Sequence, residues 1–277
     1  FKWILYKRFE SDISSYYLTL KRLSKKSKMI LTAVEKKNTK YLEDEEYEDE
    51  DDIDINFDMN FKDRLNDVIE KIRLGKGDEH LKILSELEGD ISLINRQIEK
   101  LSPFLKEDCE VLFKNDQKIN QLSSILGSKK GKKILIFTEY KDTLRAIKEY
   151  FKNSLNPDEV RFVDSNTKNK QAIIEKFNDS QDKLRILMTT DTLSEGFNIS
   201  GADVVINFDV PYNPVRIIQR IGRATRLDNP KDIEVLNFRP DDDLDVELKL
   251  VERMELRIKD IIRFVGVEYR IWFETEK

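Results

Sequence analysis

The sequence holds one cysteine, one histidine, nine glycines and six prolines in 277 residues. A single Cys, Cys109, excludes a disulfide framework and any cysteine zinc site. A single His, His80, excludes a multi-histidine metal site. It lies in a charged stretch with no nucleophile pattern beside it, so Ser-His and Cys-His catalysis lack a candidate, and a solvent-facing histidine is expected. No run approaches the roughly 20 apolar residues of a membrane span. No Gly-x-x-x-x-Gly-Lys-Ser/Thr phosphate loop is present, because Gly75-Lys76-Gly77 and Gly127-Ser-Lys-Lys-Gly131 lack its spacing. No Gly-rich turn follows a predicted strand, which leaves a self-contained Rossmann-type enzyme little support. No acidic strand-end pair for Mg²⁺ is seen either. The first residue is Phe1, and there is no signal peptide or lipidation motif. The expectation is a fragment of a larger, intracellular (cytoplasmic, prokaryotic-type) protein with no membrane partner.

Two stretches lack charge of one sign. Residues 41–60 hold 11 acids and no Lys or Arg, so a formal net charge of −5 becomes +6 for the rest of the chain. Such a run cannot bury its charges and reads as a disordered loop, with an interaction tail or nucleic-acid mimic as the other possibility. Conversely, no acid occurs between Asp209 and Asp228, a stretch with four Arg.

Apolar periodicity divides the chain. Ile13, Tyr16, Tyr17, Leu20 and Leu23 recur at helical spacing within 4–37, as do Leu65, Val68, Ile69 and Ile72, and then Leu81 through Leu101. Residues 108–126 read as one more helix. Gly127 to Gly131 marks a boundary, after which the period changes. Short apolar runs at Ile134–Phe137, Val160–Val163, Leu184–Met188, Val204–Phe208 and Ile233–Phe238 alternate with helical patterns near 141–152, 169–178 and 213–224. This alternation predicts an α/β fold, a parallel sheet with helices on both faces, preceded by an α-helical subdomain. A last helix is expected from Asp243 to Val265, and Trp272 and Phe273 read as packing residues.

The densest chemistry lies in 213–226. On a helix, Ile217, Ile218, Ile221 and Thr225 share one side, while Arg216, Gln219, Arg220, Arg223 and Arg226 share the other. Arg at three- and four-residue spacing repels itself unless a polyanion or distant carboxylates balance it. Spacing alone does not choose between these. A loop after a buried strand, Thr189-Thr-Asp-Thr-Leu-Ser-Glu-Gly196-Phe-Asn198, and the strand end Phe137-Thr138-Glu139-Tyr140 occupy the carboxyl edge, where open α/β sheets place ligands.

Together these residues resemble the second RecA-like lobe of superfamily 2 helicases, and more closely the Swi/Snf-like, HepA/RapA-like DNA translocases. Gln219-Arg-Ile-Gly-Arg223-Ala-Thr-Arg226 resembles motif VI, Thr189 to Ile199 motif V, and Lys133 to Tyr140 motif IV. Lys7-Arg8-Phe9-Glu10-Ser11 resembles the segment where the first lobe gives way to the second. Tyr212 stands where many relatives carry Trp. The resemblance implies a helical insertion over 1–128, a RecA-like lobe over 129–240 and a helical extension over 241–277. It implies ATP and Mg²⁺ as cofactors, bound mainly by a first lobe outside this chain, and duplex DNA as a partner, with a further protein partner at the helical region. Arg226 would be the arginine finger and Arg223 a second γ-phosphate contact. Gln219, Gly196 and Asn198 would lie near the nucleotide, and Thr138, Thr189 and Thr190 would touch DNA phosphates. The lobe alone would not hydrolyse ATP. The alternative is a non-catalytic nucleic-acid or protein interaction module that uses the Arg-rich helix.

Overall fold

The computed structural model describes residues 2–36, 70, 79–106, 109–193, 196–211, 213–225 and 232–240. The acidic run 41–60, the apolar stripe at 65–72, the helix expected from Asp243, Trp272, Phe273, Tyr212 and Arg226 lie outside these residues. The described residues fall into two compact units, one drawn from 1–16 and from 108 onwards, the other from 17–107.

The second unit is helical. Helix α2 (Ile13–Glu35) begins in the first unit and supplies its longer part to the second, followed by α3 (Glu79–Leu101), a 3₁₀ turn at Ser102–Phe104 and the short strand β1 (Leu105–Lys106). Ser24 Oγ donates to Asn95 Oδ1 at 2.7 Å, and Tyr17 Oη lies 3.5 Å from Ser102 Oγ. Advancing along α2 therefore retreats along α3, so the two run antiparallel. Among the described residues, no helix is long and apolar enough to cross a membrane.

The first unit starts with α1 (Lys2–Ser11) and resumes with β2 (Cys109–Phe113) and α4 (Gln117–Ser128). The helix expected over 108–126 is thus a strand followed by a helix. Asn115 takes a left-handed φ of 60°, which breaks any helix there, and the Asp116 carboxylate accepts from Ile119 N–H at 3.0 Å to start α4 afresh. Then β3 (Ile134–Thr138), α5 (Lys141–Phe151), β4 (Val160–Val163), α6 (Lys170–Asn178), β5 (Ile186–Thr190), β6 (Val204–Asn207), α7 (Pro214–Ala224) and β7 (Glu234–Asn237) follow.

The last five strands form one all-parallel sheet in the order β4-β5-β3-β6-β7. Every residue of β3 is buried, as a strand covered on both faces requires. Side chains alternate between the faces. Ile134, Ile136, Ile186, Met188, Val204 and Ile206 pack with Ile119 and Leu122 of α4 and Ile147 and Phe151 of α5. Leu135, Phe137, Leu187 and Val205 pack with Ile174 and Phe177 of α6 and Ala224 of α7. The expected parallel sheet with helices on both faces is present, with helices ahead of it in the chain.

Candidate functional site

The register aligns the strand ends: Thr138 of β3 pairs with Thr190 of β5, and Phe137 with Asn207 of β6. The chain order β3, β4, β5, β6 makes the connection from β5 to β6 cross over β3, so three carboxyl ends meet at the point where the winding reverses, the place where α/β sheets form a crevice. An acid follows each end: Glu139, Asp191 and Asp209.

Helix α7 supplies the balancing charge. Asn213 caps it by accepting from Val215 N–H at 3.1 Å, and Pro214 occupies the first turn, where no N–H is needed. Arg220 is fully buried. Its Nε donates to Asp191 Oδ1 at 2.7 Å, and its Nη1 donates to Asn207 Oδ1 at 3.0 Å and to the Asp209 carbonyl at 3.2 Å. The guanidinium also lies 5.3 Å from the Phe137 ring centroid. Burial alone would depress its pKa, but Asp191, Asp209 and Glu139 together outweigh burial and the pKa is raised. Arg216, half exposed, reaches Glu139 and Asp191, both at 3.4 Å. An Arg face without neighbours to neutralise it is therefore not what α7 presents. Of the three Arg on α7, Arg216 and Arg220 are balanced by acids that come from distant strand ends.

Asp209 is buried and anchors the other side. Its Oδ2 accepts from Thr138 Oγ1 at 2.5 Å and from Ser11 Oγ at 2.6 Å, and its Oδ1 accepts from Glu139 N–H at 2.7 Å. Ser11 belongs to α1, which is tied to the sheet at several points. Lys7 Nζ donates to the Val210 carbonyl at 2.7 Å and pairs with Glu10 at 2.7 Å and Glu139 at 3.3 Å. Its pKa is raised, since the surrounding Glu10 and Glu139 outweigh the depression that burial causes. Arg8 pairs with Asp142 at 3.4 Å and stacks over Tyr140 at 4.0 Å. Burial, with Glu139 adding to it, pushes the Tyr140 hydroxyl well above its usual range. Lys118 of α4 closes the end of α1, donating to the carbonyls of Glu10 at 2.6 Å and Ser11 at 3.0 Å, where a cation suits the helix dipole.

The expected site residues sort into two groups. Gln219 is exposed and Arg223 half-buried, one turn apart on α7. The Arg223 carbonyl accepts from Ile199 N–H at 2.8 Å, which joins the end of α7 to the loop carrying Gly196 and Asn198. Gly196 and Asn198 are exposed, and Gly196 takes φ of 80°, a conformation that disfavours any side chain. Asn178, at the end of α6, holds that loop: its Nδ2 donates to the Asn198 carbonyl and its Oδ1 accepts from Gly201 N–H, both at 2.9 Å. A Cβ on Gly201 would lie 2.5 Å from the Phe177 carbonyl oxygen. Gly201→Ala is expected to cost about 1–3 kcal/mol, read by urea denaturation, because backbone has to shift.

Thr138, Thr189 and Thr190 are all buried. The Thr138 hydroxyl is engaged by Asp209, and that of Thr189 donates to the Thr190 carbonyl at 2.8 Å. Sequence reading did not single out Asp191, Asp209 or Glu139, nor α1 as part of this edge. The only signal was that each acid directly follows a predicted strand or lies within the following loop. Among the described residues, no group of His, Cys, Asp or Glu is placed to hold a metal ion.

A second acidic contact lies at the base of α1. Asp12 caps α2, accepting from Ser14 N–H at 2.7 Å, and faces Asp116, the cap of α4. Burial, reinforced by the Asp116 charge, pushes the Asp12 carboxyl from its ordinary 3.8 up to about 8. A raised folded-state pKa for an acid means that stability is lost as pH rises from about 4 to about 8. Asp12→Asn keeps the cap and removes the titration. The variant is expected to gain on the wild type steadily over that window in thermal melts, with no difference near pH 4.

Residues 117–228 match the family model described as helicase conserved C-terminal domain. The chain is 31% identical over 148 residues to an uncharacterised ATP-dependent helicase, YqhH, of Bacillus subtilis, covering 51% of this chain and 26% of that protein. It is 32% identical over 163 residues to the ISWI chromatin-remodelling complex ATPase of Saccharomyces cerevisiae, covering 55% of this chain and 14% of that one. It is 36% identical over 101 residues to the SNF2 domain-containing protein CLASSY 3 of Arabidopsis thaliana, covering 34% and 7%. The chain thus spans about a quarter or less of the length of these relatives. Residues 117–228 thus match the helicase conserved C-terminal domain, and the chain is similar to proteins described as an ATP-dependent helicase, a chromatin-remodelling ATPase and an SNF2 domain-containing protein.

Proposed function

We propose that this chain is the second lobe of an ATP-driven duplex-DNA translocase, with a helical insertion over 1–128, the lobe over 129–240 and an extension over 241–277. The observation that carries the reading is the division of labour on α7. Arg216 and Arg220 are fastened to the lobe's own acids, while the Arg223 carbonyl accepts from Ile199 N–H of the loop that carries Gly196 and Asn198. The buried arginine fixes the helix, so that the outer arginines approach a ligand from a rigid base.

ATP, when bound, supplies a phosphoanhydride whose hydrolysis develops charge on the γ-phosphoryl oxygens. Arg226 would meet that charge as the finger, with Arg223 as a second contact, both preorganised donors. Gln219, Gly196 and Asn198 would line the nucleotide's edge. The strand-end acids are already neutralised by Arg216, Arg220 and Lys7, which suits no metal, so Mg²⁺ and most of the nucleotide would be held by a first lobe outside this chain. That lobe is the required partner, and this chain alone would not hydrolyse ATP. Thr138, Thr189 and Thr190 are kept as candidates for the DNA-backbone edge. Fewer observations support them, since all three are buried and two hydroxyls are engaged within the fold. An interaction module built on the Arg-rich helix has less support, because two of the four arginines it needs are balanced internally.

The test is ATP hydrolysis by the full-length protein with and without duplex DNA. Turnover stimulated by DNA is expected. Turnover indifferent to DNA would sink the translocase reading.

A further inference from the structure

Beside the buried Asp209, which holds Ser11 of α1 and Arg220 of α7, a second acid ties the two helices. Glu139 presents Oε2 to Lys7 of α1 at 3.3 Å and Oε1 to Arg216 of α7 at 3.4 Å. Its side chain is 12% exposed, that of Lys7 5%, and that of Arg216 53%, so the bridge runs from the interior to the surface. Its backbone is also pinned, since Glu139 N–H donates to Asp209, which holds Ser11 of α1 in turn. Nothing in the chemistry of a strand end demands this. An acid placed there only for solubility would point outward and pair with nothing buried.

We propose that Glu139 is a positioning residue that couples helix α1 to helix α7, sharing its two oxygens between Lys7 and Arg216. A shift of α1 moves the Lys7 ammonium and, through Glu139, pulls on the first turn of α7. The helix is rigid, so motion at Arg216 reaches Gln219 and Arg223 one and two turns on. Glu139 touches no substrate in this account. It acts only through the arginines whose placement it sets. Burial pushes its carboxyl above the ordinary range, and Lys7 offsets only part of that. The inference rests on the functional reading above for its effect on turnover, but not for the coupling itself.

Two readouts on the full-length protein separate these. The first is hydrogen exchange at the α7 amides in Lys7→Met, Glu139→Gln and Arg216→Met. Each variant is expected to speed exchange in α7, and Glu139→Gln combined with Arg216→Met is expected to speed it no further than either alone. Arg216 is half exposed, so that variant folds even where Lys7→Met does not. Unchanged α7 exchange in Arg216→Met and Glu139→Gln, whatever happens to the melting temperature, would overturn the coupling. The second is ATP turnover. Glu139→Gln is expected to lower kcat about 10- to 100-fold with KM for ATP unchanged. An unchanged kcat alongside faster α7 exchange would overturn the positioning role while leaving the coupling. If the wild type lacks DNA-stimulated turnover, the translocase reading fails, and the exchange data still decide whether α1 and α7 are coupled.

Discussion

In the full-length protein, Arg226→Ala is expected to reduce ATP turnover by about 10³- to 10⁵-fold while duplex-DNA affinity and its salt dependence stay close to wild type. Gln219, Arg220 and Arg223 are spaced so that only part of the set can face inward on α7, and Arg220 is the one that does. Arg220 is consumed by Asp191, Asn207 and Asp209, and Arg216 by Glu139 and Asp191. The motif VI resemblance gives Arg223 and Arg226 the role of meeting a developing charge. Removing one preorganised donor at such a charge is a rate effect, because the interaction is strongest in the transition state. DNA affinity depends on phosphate contacts spread over many groups, so a single arginine changes it little. Steady-state hydrolysis and a salt titration of DNA binding check both halves. A proportional loss of DNA affinity and turnover would mean that Arg226 is a binding residue. Arg223→Ala is expected to follow in the same direction with a smaller loss.

The second large effect concerns stability. Arg220→Met is expected to destabilise the lobe by about 3–5 kcal/mol, because it leaves the buried Asp209 without its cation and Asp191 with only the half-exposed Arg216. Arg220→Lys is expected to recover only part of this. An ammonium cannot reach Asp191, Asn207 and the Asp209 carbonyl with one planar fork. Arg216→Ala, four residues away and half exposed, serves as the control and should cost no more than about 1 kcal/mol. Urea denaturation of the three variants separates them. Equal losses at 216 and 220 would show that the cluster's strength lies at the surface and not in the buried contact.

The sheet was legible because its strands are short, unbroken apolar runs, and a parallel strand buried on both faces must read that way. Ile134–Phe137 and Val204–Phe208 announce themselves, and the helices between them follow from amphipathic spacing. The strand Cys109–Phe113 was not legible. Short apolar runs fit either period, and the feature that decides it, Asn115 with positive φ, has no sequence signature beyond residue type. Much of the motif region was readable as a set of arginines, but not which of them are buried. Arg220 and Arg223 look alike in sequence. They differ only in what lies across from them, and Asp191 and Asp209 are 29 and 11 residues away along the chain. Long-range pairing of this kind cannot be read from local pattern. The same limit hid α1. Lys7-Arg8-Phe9-Glu10-Ser11 shows ordinary charges, yet Lys7 finds its carbonyl acceptor 203 residues later.

That distance has a consequence for how the protein is made. During synthesis, α1 emerges before the long-range partners of Lys7, Arg8 and Ser11, namely Val210, Asp142 and Asp209, have been made. At about 5–20 residues per second the wait for Val210 is about 10–40 s. The ribosome therefore delivers a helix that has no home until the sheet it belongs to is almost complete. Everything between Tyr16 and Asp108 leaves and returns as one excursion from the lobe. Closing a flexible loop costs only about 0.6 kcal/mol per doubling of its length, so insertions that leave the helical unit's own packing intact are cheap, whereas the residues at its root, Lys7 to Asp12, are held by contacts that tolerate little change.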